Sequence, residues 1–208
     1  MRPARDGGGD FYDYFPLDEH RVAVAIGDVC GKGIPASLFM AVAITTLRTA
    51  AQEEKDVART LARTNASLCR DNAASMFATL FFAVLDLRTG EFEYGNCGHN
   101  APHTLSVAGR RTLPTTGIPV GLMPDRSARA EKVVLERGET LVLFTDGVTE
   151  AMNPRQEEFG DARFEALLDG STERAPEPLL EEIFSEVDSF AEGEHQADDV
   201  TALILRRA

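Results

Sequence analysis

Hydrophobic positions along the chain follow two periods, and each period predicts one kind of element. Runs of apolar and β-branched residues predict strands at 21–26, 77–86, 91–95, 103–107, 130–135, 140–144 and 200–205. Apolar positions at helical spacing predict helices at about 36–52, 57–70, 163–168 and 178–190. Turn signals at Arg88-Thr89-Gly90 and Arg137-Gly138 separate neighbouring strands. Strands and helix pairs in this order predict an α+β fold of packed antiparallel sheets flanked by helices.

Composition narrows the class of protein. A chain of 208 residues is long enough for one domain with a sizeable core, and its net charge of -13 argues against nucleic-acid binding. The apolar run Ala41–Ile44 is interrupted by Thr45 and Arg48, so the sequence predicts no membrane span, and the first residues lack a signal peptide's apolar core. Three cysteines without metal-type spacing favour reduced thiols in a cytoplasm.

Four short acidic motifs are distributed along the whole chain. They are GGDFYD at 8–13, GDVCGKG at 27–33, FTDGVTE at 144–150 and ADDVT at 197–201. Each places a carboxylate at the end of a predicted strand or in a glycine-rich turn. Any one of them alone is ordinary turn chemistry. Together they predict one shared site, because clustered carboxylates repel one another unless a cation is present.

The candidate ligands are all hard oxygens. Asp28 follows an apolar strand and precedes a glycine-rich turn, where the carbonyl of Val29 is a further donor. Asp146 also follows an apolar strand, with Gly147 directly after it. Asp198 and Asp199 precede the last strand, and Asp10 lies in a glycine-rich approach to an aromatic segment. This donor set favours Mg²⁺ or Mn²⁺ over Zn²⁺ or copper.

Other phosphate chemistries fit the sequence poorly. The 27–33 segment lacks the first glycine and the final Ser or Thr of a P-loop. No cysteine has an arginine six positions later, and no serine lies in a Gly-x-Ser-x-Gly elbow. Pro102 disfavours a helix between His99 and His103, so His99 is interpreted as a structural residue of a tight turn rather than a zinc ligand.

The motifs also resemble a known family. In chain order they are GGDFYD, GDVCGKG, ATLFFAVLD, GHNAPH, PVGL, TDGVTEA and DDVT, and they cover nearly the whole chain. This series resembles the SpoIIE-type branch of the metal-dependent PPM (type 2C) protein serine/threonine phosphatases. The resemblance implies an αββα four-layer sandwich, a two-metal centre of Mn²⁺ or Mg²⁺, and hydrolysis of phosphoserine or phosphothreonine on a partner protein.

The resemblance also assigns site residues by position. It implies that Asp28 and the Val29 carbonyl bind both metals, that Asp146 and Asp198 hold one of them, and that Asp10 binds directly or through water. Behind these ligands it implies supporting roles for Asp13, Gly147 and Asp199. Two cations would lower the pKa of a bound water and neutralise the phosphoryl oxygens, so no protein nucleophile is required.

Two basic residues lie near the acidic motifs in the sequence. Arg5 and Lys32 are candidates for contact with the substrate phosphate, although a solvated surface charge is the simpler interpretation of each.

Two features depart from the family pattern. Only Met1 to Gly7 precede GGDFYD, where the family usually has a strand, so residues 1–208 form either a single phosphatase domain with a short first strand or one trimmed of that strand or of an N-terminal sensor. Cys30 stands where the family often has Ser or another small residue, and we expect little effect on metal binding.

The leading hypothesis is a cytoplasmic phosphatase acting on a phosphorylated anti-sigma-factor antagonist. By the same resemblance, the helices at 36–70 are a regulatory switch and homodimer surface, although their apolar residues also fit a plain core. A catalytically silent signalling and docking module is the alternative, and a hydrolase of non-protein phosphoesters is a third hypothesis. The presence of Asp10, Asp28, Asp146 and Asp198 favours the enzyme.

Overall fold

The structure is a computed structural model that describes residues 1–2, 8–70, 72–126, 128–194, 196 and 198–208. The described residues contain nine strands and five helices. The strands are β1 Phe11–Pro16, β2 Arg21–Val29, β3 Ala78–Asp86, β4 Glu91–Cys97, β5 His103–Ser106, β6 Gly109–Thr112, β7 Glu131–Val134, β8 Thr140–Phe144 and β9 Ala202–Arg206. The helices are α1 Ile34–Glu54, α2 Val57–Cys69, α3 Asp146–Thr149, α4 Gly160–Asp169 and α5 Pro176–Ala191.

The described residues divide into two compact units. The first unit comprises Asp6–His99 and Pro114–Leu135, and the second comprises Met1–Arg5, Asn100–Leu113 and Glu136–Ala208. Each unit contains one antiparallel sheet and its own helices. The α+β class of two antiparallel sheets with helices is therefore confirmed, and the assignment of residues 1–208 to a single domain stays a prediction.

The sheet of the first unit has the order β1-β2-β3-β4-β7. Strand β2 lies between β1 and β3. From Ala23 to Val29 every residue of β2 is buried except Asp28, which is partly buried. Its core also takes side chains from α1 and α2, among them Leu47 and Leu61. The apolar run that predicts β2 is therefore long because this strand is covered on both edges and both faces.

The sheet of the second unit has the order β6-β5-β8-β9. Strand β8 is fully buried and pairs with β5 on one side and β9 on the other. Phe144 of β8 packs on Phe164 of α4 with ring centroids 4.4 Å apart, and Leu179, Ile183 and Val187 of α5 complete the same core. Because β8 and β9 are neighbours, the residues that follow β8 and precede β9 lie at one end of this sheet.

The two predicted turns have different roles. At the β3–β4 hairpin the Asp86 carboxylate accepts the backbone N–H groups of Arg88 and Thr89, and Gly90 has φ 78°. The Arg137-Gly138 turn connects β7 to β8, which belong to different sheets, so it is not a hairpin turn between paired strands. Periodicity alone cannot distinguish these cases, since it does not report which strands pair.

Helix α1 corrects one expectation from the sequence. Its 21 residues are long and apolar enough to cross a bilayer by length and composition, with 28% of the most apolar window buried. The prediction that no segment meets this criterion was wrong, because it considered only the uninterrupted run at Ala41–Ile44. One such helix is weak evidence for a membrane span, since a core helix passes the same test.

Candidate metal centre

The first two acidic motifs come together within the first unit. The backbone N–H of Val29 donates to the carbonyl of Gly9 at 3.2 Å, which joins the end of β2 to the segment before β1. A Cβ on Gly9 would lie 2.7 Å from the Val29 carbonyl oxygen and 2.8 Å from Asp28 Oδ1. Only a glycine allows the chain to approach these two oxygens so closely. The next residue, Asp10, is 3% exposed.

Asp28 is the penultimate residue of β2 rather than a residue of the following turn. It pairs with Thr79 of β3, and the Thr79 hydroxyl donates to the Asp28 carbonyl at 3.5 Å. The same hydroxyl is 2.8 Å from Nδ1 of the buried His99. His99 is in turn fixed by Asn96, which accepts its backbone N–H at 2.8 Å and donates to its carbonyl. These hydrogen bonds agree with a structural role for His99, which stays a prediction, and its link to Asp28 through Thr79 was not predicted.

Asp13 has a defined partner on α1. Arg48 donates from Nε to Asp13 Oδ2 at 2.5 Å and from Nη2 to Asp13 Oδ1 at 2.7 Å. The Arg48 guanidinium also lies over the ring of Phe15, 4.7 Å from its centroid, and hydrogen bonding to Asp13 raises the pKa of Arg48. This pairing was not visible in the sequence, and the supporting role of Asp13 at a metal stays a prediction.

The other two acidic motifs come together within the second unit. Thr145 donates its backbone N–H to the Thr201 carbonyl at 3.0 Å, and the Thr145 hydroxyl accepts the N–H of Thr201 at 3.1 Å. A Cβ on Gly147 would lie 1.9 Å from the carbonyl oxygen of Asp199, so this position has no room for a side chain. Asp146, the first residue of α3, is therefore next to the point where the start of this helix packs on Asp199.

Asp198 is held by its neighbours in the chain, and that segment is bound in turn to Arg2. Its Oδ1 accepts the backbone N–H of Asp199 at 2.9 Å, and its carbonyl accepts Gln196 Nε2 at 2.7 Å. The same Gln196 nitrogen donates to the carbonyl of Arg2 at 2.8 Å, and Arg2 forms two backbone hydrogen bonds with Val200. Asp198 and Asp199 thus lie in a segment with many local contacts.

The donors in each unit suit a hard divalent cation. The first unit offers the carboxylates of Asp10 and Asp28 with the Val29 carbonyl, and the second offers those of Asp146 and Asp198. Within the part of the chain that the structure describes, no group of three or more His, Cys, Asp or Glu side chains could hold a metal ion. The four motifs therefore form two pairs, one in each unit. A metal centre that both pairs share stays a prediction.

Two of the three thiols are poor nucleophiles because they are protonated. Burial raises the pKa of Cys97 to about 12 and also raises the pKa of Cys69, so both are protonated at neutral pH. Cys30 is half-buried, and its sulfur accepts the backbone N–H of Phe77 at 3.3 Å. Of the two predicted phosphate contacts, Lys32 is exposed in the turn after β2, whereas Arg5 lies outside the described residues.

Comparison with known proteins identifies the family. The family model described as Stage II sporulation protein E (SpoIIE) matches residues 18–208. The chain belongs to the SpoIIE family. Among curated relatives, this SpoIIE-family chain is 33% identical to Protein IcfG of Synechocystis sp. over its whole length, which is 37% of that protein. It is 32% identical to Phosphoserine phosphatase RsbU of Bacillus subtilis, over 71% of the chain and 44% of that protein.

Solved structures share the fold. The SiaA-PP2C domain of Pseudomonas aeruginosa superposes with a TM-score of 0.88 at 22% identity, covering 99% of this chain and 83% of that one. The SpoIIE phosphatase domain of Bacillus subtilis, with a fragment of its regulatory domain, has a TM-score of 0.84 at 20% identity, covering 99% of this chain and 60% of that one. The resemblance to SpoIIE-type phosphatases is confirmed, and the chain is a domain of that phosphatase family. It spans less than half the length of the curated relatives named above.

Proposed function

We propose that this SpoIIE-family domain is a Mn²⁺- or Mg²⁺-dependent protein phosphatase that hydrolyses phosphoserine or phosphothreonine on a regulatory protein. The observation that carries the proposal is the meeting of the acidic motifs in pairs, Gly9 against Asp28 and Val29, and Gly147 against Asp199. Each close approach excludes a side chain and leaves oxygen donors on neighbouring segments. Family membership supports the same activity, because a relative is named a phosphoserine phosphatase.

The ligands we assign to two metal ions come from both units. Asp28, the Val29 carbonyl and Asp10 would be the donors of the first unit, and Asp146 and Asp198 those of the second. Two bound cations would supply an activated water and neutralise charge on the phosphoryl group. The chain itself orients the donors: the N–H of Asp199 fixes Asp198 Oδ1, and the Thr79 hydroxyl fixes the backbone of Asp28.

Phosphate release from a phosphoserine protein, with and without Mn²⁺, tests the activity. We expect release only with metal, and we expect Asp146→Ala to lower it by about a hundredfold or more, because a lost ligand removes several kcal/mol of transition-state stabilisation. The matched control is Asp161→Ala, which removes an exposed aspartate from α4 in the same unit. The control should retain the parent rate. Release without metal, or an Asp146→Ala variant as active as the parent, would contradict the mechanism.

For the substrate we propose a phosphorylated anti-sigma-factor antagonist in a bacterial partner-switching pathway. We place the protein in the cytoplasm and expect a sensor segment N-terminal to this domain in the full-length protein. The support is the family resemblance together with a relative named phosphoserine phosphatase. Three described cysteines without a disulfide agree with a reducing compartment. Preference for a phosphorylated antagonist over p-nitrophenyl phosphate, measured as kcat/KM, would distinguish a protein phosphatase from a general phosphoester hydrolase.

A catalytically silent docking module is the second candidate. It is favoured by one observation, that no three candidate metal-binding side chains are grouped among the described residues. The presence of all four motif aspartates favours the enzyme instead. Calorimetric titration with Mn²⁺ separates the two: the enzyme binds metal and releases phosphate, whereas the silent module binds its partner protein with no turnover at any metal concentration.

A further inference from the structure

Helix α1 contacts the 8–13 segment at two points. Near its start, the Ser37 hydroxyl lies 3.3 Å from the carbonyl oxygen of Gly8 and 3.2 Å from that of Gly33, so the two acceptors share its single proton. Eleven residues later, which is about three helical turns, Arg48 binds both carboxylate oxygens of Asp13 and covers the ring of Phe15. Both contacts lie on one side of the helix and connect it to the segment that contains Asp10.

The connection from β2 to α1 is rich in glycine. It passes through Gly31 at φ 91° and Gly33 at φ 79°, and a side chain at either position would meet nothing within 4 Å. The N-cap position of α1, Gly33, makes no side-chain capping bond. Ser37 bonds back to the Gly33 carbonyl at the end of this loop, and its contact with Gly8 joins the same end of α1 to the segment before β1.

The segment between the two contacts carries the candidate ligand Asp10. Strand β1 begins only at Phe11, so Gly8 to Asp10 lie outside the ladder with β2. They are held by the Val29 N–H, which donates to Gly9, and by Ser37 of α1. A shift of α1 along β1 would break the Ser37 contact and release Gly8, next to the close approach of Gly9 and Asp28.

We propose that Arg48 and Asp13 form a positioning pair, which keeps α1 in the register where Ser37 holds Gly8 and Asp10 lies beside Asp28. This inference rests on the proposed function, since it assigns metal binding to that pair of aspartates. Arg48 acts through α1 and touches no reacting atom. A purely structural ion pair is the competing explanation, and pairs with a half-exposed arginine contribute little to stability.

Mn²⁺ affinity measured by calorimetry tests the positioning role. We expect Arg48→Gln to weaken Mn²⁺ binding by about tenfold, as found for residues that orient metal ligands. The direction is informative because removing a cation from the first unit would, by charge alone, strengthen cation binding. Arg48→Lys keeps the charge but loses the two-point contact, so its affinity should lie between those of the parent and Arg48→Gln.

The matched control is Arg63→Gln. Arg63 lies on α2 in the same unit, is half-exposed and is paired with Glu53 and Glu54, so the charge change is identical. Its Mn²⁺ affinity should equal that of the parent. Thermal unfolding in EDTA should be alike for both variants, which would show that Arg48→Gln acts on the site and not on folding.

A double-mutant cycle with Asp13→Asn completes the experiment. If the two residues act as one unit, Asp13→Asn with Arg48→Gln should bind Mn²⁺ no more weakly than either single variant. Parent-like affinity of Arg48→Gln, with Mn²⁺ bound by the parent, would overturn the positioning pair and leave the proposed function intact. Absence of Mn²⁺ binding by the parent would overturn both.

Discussion

At the residue scale, Gly9 is the point where the segment before β1 approaches the candidate ligands at the end of β2. We expect Gly9→Ala to weaken Mn²⁺ binding by about tenfold and to destabilise the fold by about 1–3 kcal/mol. The added Cβ would meet two oxygens, Asp28 Oδ1 and the Val29 carbonyl, both closer than 3 Å. Calorimetry with Mn²⁺ and urea unfolding in EDTA measure the two effects separately.

The control for Gly9→Ala is Gly170→Ala. A Cβ at Gly170 would lie 3.6 Å from its nearest neighbours, and this residue has φ -76°, so alanine fits without strain. We expect parent-like Mn²⁺ affinity for Gly170→Ala. Tight Mn²⁺ binding by Gly9→Ala would argue that the oxygens beside Gly9 do not serve as ligands.

Single residues also show what the sequence could predict about the site. The settings of Asp28 and Asp146, each at or just after the end of a buried strand and close to a glycine, were visible because strand periodicity is local. The partners of these segments were not visible. Arg48 and Asp13 are 35 positions apart, and nothing in the pattern around a surface arginine indicates which acid it will meet. The contacts of Thr79 with Asp28 and His99 could not be predicted either, because its sequence setting is that of an ordinary strand residue.

At the element scale, Asp56 starts α2 by capping its first turn. Its carboxylate accepts the backbone N–H of Arg59 at 2.8 Å. We expect Asp56→Ala to lower the free energy of unfolding by about 1 kcal/mol, because an unpaired N–H group is left at the helix end. Urea unfolding measures this loss, and Asp125→Ala, an exposed aspartate of a loop in the same unit, is the control. Equal stability of the two variants would contradict the capping role.

Elements differ in how readily the sequence predicts them. The two long helices and the buried strands were found because each carries a continuous apolar pattern, and β8 was predicted with its observed bounds. Three elements were missed. Strand β1 alternates between buried and exposed aromatic residues and contains Asp13 and Pro16, β6 is mostly exposed and charged, and α3 is a single turn. The two strands are defined by pairing with a neighbour and α3 by its own backbone turn, and none of the three by local hydrophobicity.

At the scale of the whole molecule, the topology explains why acids distant in sequence come together in pairs. Strands β1 and β2 are antiparallel neighbours, so the segment before β1 and the last residues of β2 lie at the same end of these two strands. Strands β8 and β9 are neighbours in the other sheet, which does the same for the residues after β8 and before β9. Antiparallel pairing therefore converts four motifs into two local sets of oxygen donors.

The exposed apolar residues of α1 suggest how the molecule assembles. Ile34, Leu38 and Val42, which we call the α1 stripe, are 75%, 64% and 55% exposed and recur every four residues. Beside them is a groove of about 440 Å³, lined by Phe39 and by Met76 among others. No charged residue occurs between positions 34 and 47, so two copies of the stripe can meet without like charges in contact.

We therefore expect the chain to form a homodimer through the helices at 36–70, and Leu38→Glu to convert it to a monomer. The substitution places two carboxylates into an apolar contact, where neither would have a partner. Sedimentation equilibrium measures the mass, and Leu87→Glu is the control, because Leu87 is a half-exposed leucine of the same unit outside these helices. A monomeric parent, or a dimer that survives Leu38→Glu but not Leu87→Glu, would show that another surface pairs.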